Sequence, residues 1–240
     1  MRRHPGSLSL IFALMLSACV GMQDETSYPI APVAPAGPPL DAATAQANFA
    51  EVLARMEPVI ENECRTRTRG LNCDYRISVD ARPGLPPNAL QTRDGAGRPV
   101  IAFTSSLIAE ARNRDELAFV MGHEAAHHIA DHIPRQRQTT MAGAMFGGLA
   151  ATFVGASQST VELAQNLGAT VGSRVYSKDH EIEADGLGTV LTCAAGYSAR
   201  RGAAYFARIP DPGNRFLGSH PPNGQRIATV ERISGDIGCP

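Results

Sequence analysis

The stretch MGHEAAHHIADH, residues 121–132, places four of the chain's seven histidines and a glutamate within ten positions. Residues four apart on an α-helix share one face, so the rings of His123 and His127 can point at one metal ion while Glu124 lies beside it. A hydrolytic zinc centre has three protein ligands and keeps its fourth position for water. The pattern therefore predicts two ligands and a general base, with a solvated helix face that carries paired charges as the alternative.

A second segment, YSKDHEIEADGLG over 176–188, offers a third ligand. Glu181 and Asp185 are four apart and lie on one helical face, and Ala184 between them allows two helices to approach closely. We expect Glu181 to coordinate zinc and Asp185 to accept a hydrogen bond from the outer ring nitrogen of a ligand histidine, which fixes its tautomer. The alternative is an exposed acidic stretch at the start of a helix.

Other histidines near these motifs are not expected to bind the ion. On one continuous helix, His128 and His132 lie farther round from His123, at about 140° and 180°, and are predicted to face solvent or neighbouring helices. His180 precedes Glu181 by one residue and faces away by the same geometry.

The N-terminal residues 1–19, MRRHPGSLSLIFALMLSAC, have the layout of a secretory signal: two arginines, an apolar run and then small residues. The run is too short to span a bilayer as a mature helix. Its ending, LSAC, resembles a bacterial lipobox, which implies lipidation of Cys19. Val20 stands where that resemblance would need Asp for inner-membrane retention, so outer-membrane sorting is expected.

Residues 20–40 carry five prolines among alanine and glycine, which predicts an extended flexible linker. Residues 41–240 are long enough for one domain with its own core. Without residues 1–19 the chain has 20 basic and 23 acidic residues, a balance of about −3. Its basic residues are scattered, aromatic residues are few, and no phosphate-cradling glycine loop follows a strand, so nothing indicates a nucleic-acid partner.

Lipidation of Cys19 would leave four cysteines, an even number in an oxidising compartment, and this predicts two disulfides. Three pairings are possible. Cys64 and Cys73 flank a short polar loop that a local bridge would close, which would leave Cys193 with Cys239. The alternative to two disulfides is four reduced, buried thiols, which would be more typical of a cytosolic protein.

Local patterns predict the elements around the motifs. A helix starts at Asp41 and is kinked near its end by Pro58, strands cover 75–80 and 99–104, and helices lie near 105–112 and 114–132. Residues 141–156 are apolar apart from one threonine and rich in glycine and alanine. Because sixteen residues are short for a membrane span, they predict a close-packed or mobile hairpin beside the active site, with contact to lipid as an alternative.

Three motifs together resemble the gluzincin metallopeptidases of the HtpX, BepA and Oma type: HEAAH at 123–127, EIEAD at 181–185, and SHPP at 219–222 followed by QRI at 225–227. PNA at 87–89 is similar to the edge strand of that family. The resemblance covers roughly residues 41–233. It implies an α/β (α+β) zincin-like domain, mostly helical with a small antiparallel sheet, and endopeptidase activity on proteins.

By position, the resemblance implies one Zn²⁺ per chain bound by His123, His127 and Glu181, with Glu124 as the general base. His220 is the candidate donor to the developing oxyanion; it could instead block the zinc or be a helix-entry residue.

Substrate is expected to lie as an added strand beside Asn88 and Ala89, which gives backbone recognition with little sequence selectivity. The expected function is a periplasmic zinc endopeptidase, anchored to the outer membrane, that acts on unfolded or misassembled envelope proteins. The alternative is an envelope chaperone or assembly factor whose zinc site has little or no proteolytic activity. Glu124 argues against it, since a structural site is closed by four ligands and needs no base.

Overall fold

Most of the described chain is helical. The computed structural model describes residues 37–213 and 221–239, without the side chains of 174–176. The predicted signal peptide, Cys19 and most of the predicted linker lie outside the described residues. The helices are α1 Ala42–Arg67, α2 Ser105–Glu110, α3 Arg114–Ile129, α4 His132–Phe153, α5 Gln158–Ala194, α6 Ala199–Ala203 and α7 Asn223–Asp236, with a 3₁₀ turn at Ala204–Ala207.

The sheet has three strands, β1 Arg76–Asp80, β2 Ala89–Arg93 and β3 Pro99–Thr104, in the order β1-β3-β2. β2 and β3 are antiparallel because a tight turn at 94–98 reverses the chain, with Gly97 at φ 80°. β1 pairs with the other side of β3 and runs parallel to it. The sheet is therefore mixed, and the prediction of an antiparallel sheet is correct only for β2 and β3.

The core forms where α1 and β3 pack against α3. The predicted apolar stripe of α1 is buried through Phe49, Val52, Met56 and Ile60. The helix continues past Pro58 to Arg67, since Pro58 lies on the exposed side, where water can reach the carbonyl that loses its helical donor. The expected end near Pro58 is thus not observed.

Two disulfides close this structure. Cys64–Cys73 joins the last turn of α1 to the segment before β1, and Cys193–Cys239 joins the end of α5 to the C-terminal residues. Both are the pairings favoured by the loop argument.

The first motif is divided between two helices. α3 ends at Ile129, and Asp131 adopts a left-handed conformation, with φ 55° and ψ 39°, before α4 begins at His132. The sequence predicted one helix through residue 132. This break turns His132 away from the position that a continuous helix would give it.

α4 and the first half of α5 form an antiparallel hairpin. Their backbones touch where Gly143 meets Gly168 and where Gly147 meets Ala164, so any larger side chain at either of the α4 glycines would clash with the facing backbone. The segment 141–156 is close-packed as predicted, but it forms one arm and the turn of the hairpin, and α5 supplies the other arm. No helix within 37–213 or 221–239 combines the length and apolar character needed to cross a membrane.

Candidate metal centre

The predicted ligands come together between α3 and α5. Nε2 of His123 and Nε2 of His127 are 3.1 Å apart, and the Glu181 carboxylate lies 3.5 Å from the first and 3.4 Å from the second. The three ligand atoms all fall within 4.8 Å of one another. Two imidazole nitrogens and one carboxylate oxygen match the donor set of a catalytic zinc site. The residues therefore fit the metal that the sequence predicts.

Close helix contact makes this convergence possible. A Cβ on Gly188 would lie 2.9 Å from the backbone nitrogen of His123, and a Cβ on Gly122 would lie 2.9 Å from the carbonyl oxygen of Gly188. Ala184, the small residue predicted to allow the approach, is fully buried. About two turns before Gly188, α5 presents Glu181 to the two rings of α3.

Asp185 holds the ring of His123, the first predicted ligand. Its carboxylate accepts a 2.9 Å hydrogen bond from Nδ1 of His123, which leaves Nε2 directed at the metal position. Arg226 of α7 donates to both oxygens of Asp185 at 2.7 Å, and its guanidinium stacks 3.8 Å from the Phe206 ring centre. Burial alone would raise the pKa of the Asp185 carboxyl, but the Arg226 charge and hydrogen bonds hold this pKa below its usual value.

A second chain of hydrogen bonds holds the ring of His127, the other predicted histidine ligand. Nδ1 of His127 lies 2.8 Å from Nδ1 of His132, and Nε2 of His132 lies 3.2 Å from the Glu183 carboxylate. If His132 donates to Glu183, its Nδ1 accepts from His127, and Nε2 of His127 keeps its lone pair for a metal. His180 stacks on His132 with ring centres 4.3 Å apart.

The protonation of the two ligand rings is consistent with metal binding. Burial, together with the charge of His123, lowers the pKa of His127 to about 3, so this ring is neutral at pH 7. Burial would also lower the pKa of His123, but Asp185 and Glu181 raise it to about 10. A divalent cation can replace the proton that His123 shares with Glu181.

Glu124 lines a 710 Å³ cleft together with His123, His127 and Glu181. Burial raises the pKa of its carboxyl, and the nearby Glu181 adds to this, whereas His123 and the backbone N–H of Gln91 oppose it. A raised pKa places a carboxylate closer to the working range of a general base.

Residues 87–91, which lead into β2 and form its first half, make one wall of the cleft. Asn88 pairs with Thr104, since its carbonyl accepts from the Thr104 N–H and its own N–H donates to the Thr104 hydroxyl. Alternate residues of an antiparallel strand face the same neighbour, so the backbone groups of Leu90 face β3. Those of Ala89 and Gln91 face the free edge, where the Gln91 N–H approaches the Glu124 carboxylate. This edge is where an added strand would pair.

The structure thus brings together Glu124, Asp185 and the three predicted ligands, and it places Asn88 and Ala89 in the same cleft. Their individual roles stay predictions. His220 lies outside the described residues. Sequence reasoning gave no function to Arg226, although QRI at 225–227 was part of the resemblance, and it assigned His132 away from the site.

His128 also departs from its expected surroundings. It is buried, its Nε2 contacts the Asn72 carbonyl at 2.8 Å, and its ring meets Tyr75 edge to face. It therefore packs against the segment before β1 and does not face solvent.

Comparison with known proteins now identifies the family. The model of peptidase family M48 matches residues 57–234. The chain belongs to peptidase family M48. This confirms the resemblance to the gluzincin family and the zincin-like fold, and M48 is a family of metallopeptidases.

One curated relative matches over a shorter range. The chain is 29% identical over 132 residues to a protein of Vibrio cholerae serotype O1 named "Putative beta-barrel assembly-enhancing protease". The match covers 51% of this chain and 26% of the relative, so the chain spans about a quarter of that relative's length.

Proposed function

We propose that this M48 protein is a zinc-dependent endopeptidase that cleaves unfolded or misassembled proteins of the bacterial envelope. The observation that carries the proposal is the meeting of His123, His127 and Glu181 in an open cleft beside Glu124. A structural zinc site is closed by four ligands, whereas this cleft leaves room for water and a peptide.

The residues of the site have distinct roles in peptide hydrolysis. Zinc, when bound, supplies a Lewis acid for the attacking water and the scissile carbonyl. Glu124 accepts a proton from that water and passes it to the leaving amine. Asp185 and His132 hold the ligand rings in the tautomers that this chemistry needs.

The cleft wall supports an extended substrate. A peptide that pairs with the free edge of β2 would be held through its backbone and brought past Glu124. Recognition of this kind requires an accessible extended chain, which unfolded proteins provide. The name of the Vibrio cholerae relative supports an envelope protein as substrate.

The proposed location follows from the N-terminal motif. We propose that Cys19 is lipidated and anchors the domain to the outer membrane, on its periplasmic side, through the linker of residues 20–40. Mass spectrometry of the mature N-terminus should find a diacylated Cys19. An unmodified Met1 on the protein purified from a bacterial envelope would contradict this location.

The activity is tested by casein cleavage with and without a chelator. Glu124→Gln should keep about one zinc per chain and lose cleavage, and Glu181→Ala should lose the zinc. Glu63→Gln, a change at an exposed ion pair of α1, is the matched control and should behave like the wild type. Full casein cleavage by Glu124→Gln would show that Glu124 is not the general base. Protection of unfolded proteins from aggregation, without cleavage by the wild type, would favour a chaperone.

A further inference from the structure

The hairpin of α4 and α5 exposes an unusual number of large apolar side chains. Six of them form a set that we call the apolar face: Phe146, Leu149, Phe153, Leu163, Leu167 and Val171, each between 41% and 90% exposed. Scattered apolar residues are normal on a protein surface, but a contiguous set of this size indicates a binding surface.

Helix geometry places these six residues together. The two helices touch at Gly143 and Gly168. At 100° per residue, the three residues of α4 lie about 60° to 120° to one side of Gly143, and those of α5 lie about 60° to 140° to one side of Gly168. Because the helices are antiparallel, these two sides form the same face of the hairpin. Two more exposed side chains, Met141 and Met145, lie on the outer side of α4, away from α5.

The opposite face of the hairpin carries polar side chains. The same geometry places Thr140, Gln158, Glu162 and Gln165 there, and the side chain of Gln165 lies over Gly148, as this assignment requires. The hairpin is therefore amphipathic across its thickness. A membrane-spanning hairpin would be apolar all round, whereas a one-sided hairpin fits the surface of a bilayer.

We propose that the apolar face inserts into the acyl-chain region of the membrane, with the hairpin lying in the bilayer interface. Charge favours lipid over a protein partner. Between Gln138 and Ser173 the sequence has one charged residue, Glu162, on the opposite face. A protein interface usually has a polar rim around its apolar centre. Here the tip itself is apolar, with Phe153 and Val154 90% and 66% exposed.

The backbone is also suited to lipid. Helical residues satisfy their own backbone hydrogen bonds, which acyl chains cannot do for them. The uncharged face predicts insertion into neutral lipid rather than attraction to anionic headgroups.

The choice of lipid as the partner also rests on the anchor proposed above. Residues 20–40 separate Cys19 from the start of α1, and 21 fully extended residues span at most about 75 Å. This linker keeps the domain close to the bilayer. Under such a tether even a weak apolar contact is populated, because the effective concentration of the membrane is high.

The chain contains no tryptophan, which allows a direct test in the full-length protein. Phe153→Trp and Leu163→Trp each put a single reporter on the apolar face, and Gln158→Trp puts one at the tip on the opposite face. Each variant is mixed with phosphatidylcholine vesicles, with and without brominated acyl chains. Circular dichroism and urea unfolding check that the variants are folded.

With vesicles, we expect the emission of Phe153→Trp and Leu163→Trp to shift to the blue and to be quenched several-fold more by brominated chains than that of Gln158→Trp. Equal quenching of all three overturns the proposal. So does a blue shift in buffer that accompanies a doubled mass by light scattering, which would assign the face to a second copy. The readout requires no proteolysis, so a failure of this proposal can be told apart from a failure of the proposed peptidase activity.

Discussion

Nδ1 of His127 lies 2.8 Å from Nδ1 of His132, and this contact links a predicted metal ligand to a residue of the next helix. His132 in turn contacts Glu183, which also pairs with Arg135 at 2.8 Å. The site is thus supported from both sides, since Asp185 does for His123 what His132 does for His127. A ligand histidine normally has such a partner for its other nitrogen.

This contact predicts the behaviour of His132 variants. His132→Ala should weaken zinc binding by about 10- to 100-fold, because the ring of His127 loses the group that fixes its tautomer. His132→Asn keeps an acceptor near the position of Nδ1 and should recover part of the affinity. Competition with a chromogenic chelator measures the affinity, and the cobalt-substituted spectrum reports the ligand geometry. Equal affinity in the wild type and the alanine variant would show that His132 has no orienting role.

The contact between α3 and α5 gives a second prediction. Gly188→Ala places a methyl group 2.9 Å from the backbone of His123, so the helices must separate and the carboxylate of Glu181 must move from the rings. We expect a loss of stability of about 1–3 kcal/mol and weaker zinc binding. Gly95→Ala, where a Cβ meets nothing within 4 Å, should leave both unchanged. Wild-type zinc affinity in Gly188→Ala would mean that the two helices can separate without disturbing the site.

The free edge of β2 gives a third prediction. Ala89→Pro removes an N–H that points to the cleft, and it should raise KM for casein while stability changes little. Leu90→Pro removes an N–H that faces β3, and it should destabilise the domain. Urea unfolding and steady-state kinetics on both variants check the pair. If Ala89→Pro has the KM of the wild type, substrate does not pair with this residue.

Helical periodicity predicted which site residues share a face of one helix. The contacts between different helices could not be predicted from it. His123 and His127 share a face on any helix, as do Glu181 and Asp185, so their spacing was informative without a fold. Arg226 was not predictable in this way, because it meets Asp185 across 41 residues of sequence. Only the packing of α7 against α5 brings the two together.

The break after α3 explains why the position of His132 was predicted wrongly. On one helix through residue 132, His132 lies about 180° from His123, and it was assigned away from the ion for that reason. After the left-handed residue Asp131 a new helix starts in another direction, and this brings the His132 ring into contact with His127. A non-glycine residue with positive φ is uncommon, and the sequence around Asp131 carries no glycine to signal the turn.

Arg226 supports the last prediction. Its removal in Arg226→Ala leaves Asp185 as a buried carboxylate without its two charged hydrogen bonds, which should cost about 3–5 kcal/mol of unfolding free energy. The matched control is Arg232→Ala on the same helix, which breaks an exposed pair with Asp236 and should cost about 1 kcal/mol or less. Urea unfolding in the presence of a chelator separates this effect from any loss of metal. If the two variants unfold at the same urea concentration, the buried Asp185 carboxylate is not stabilised by Arg226.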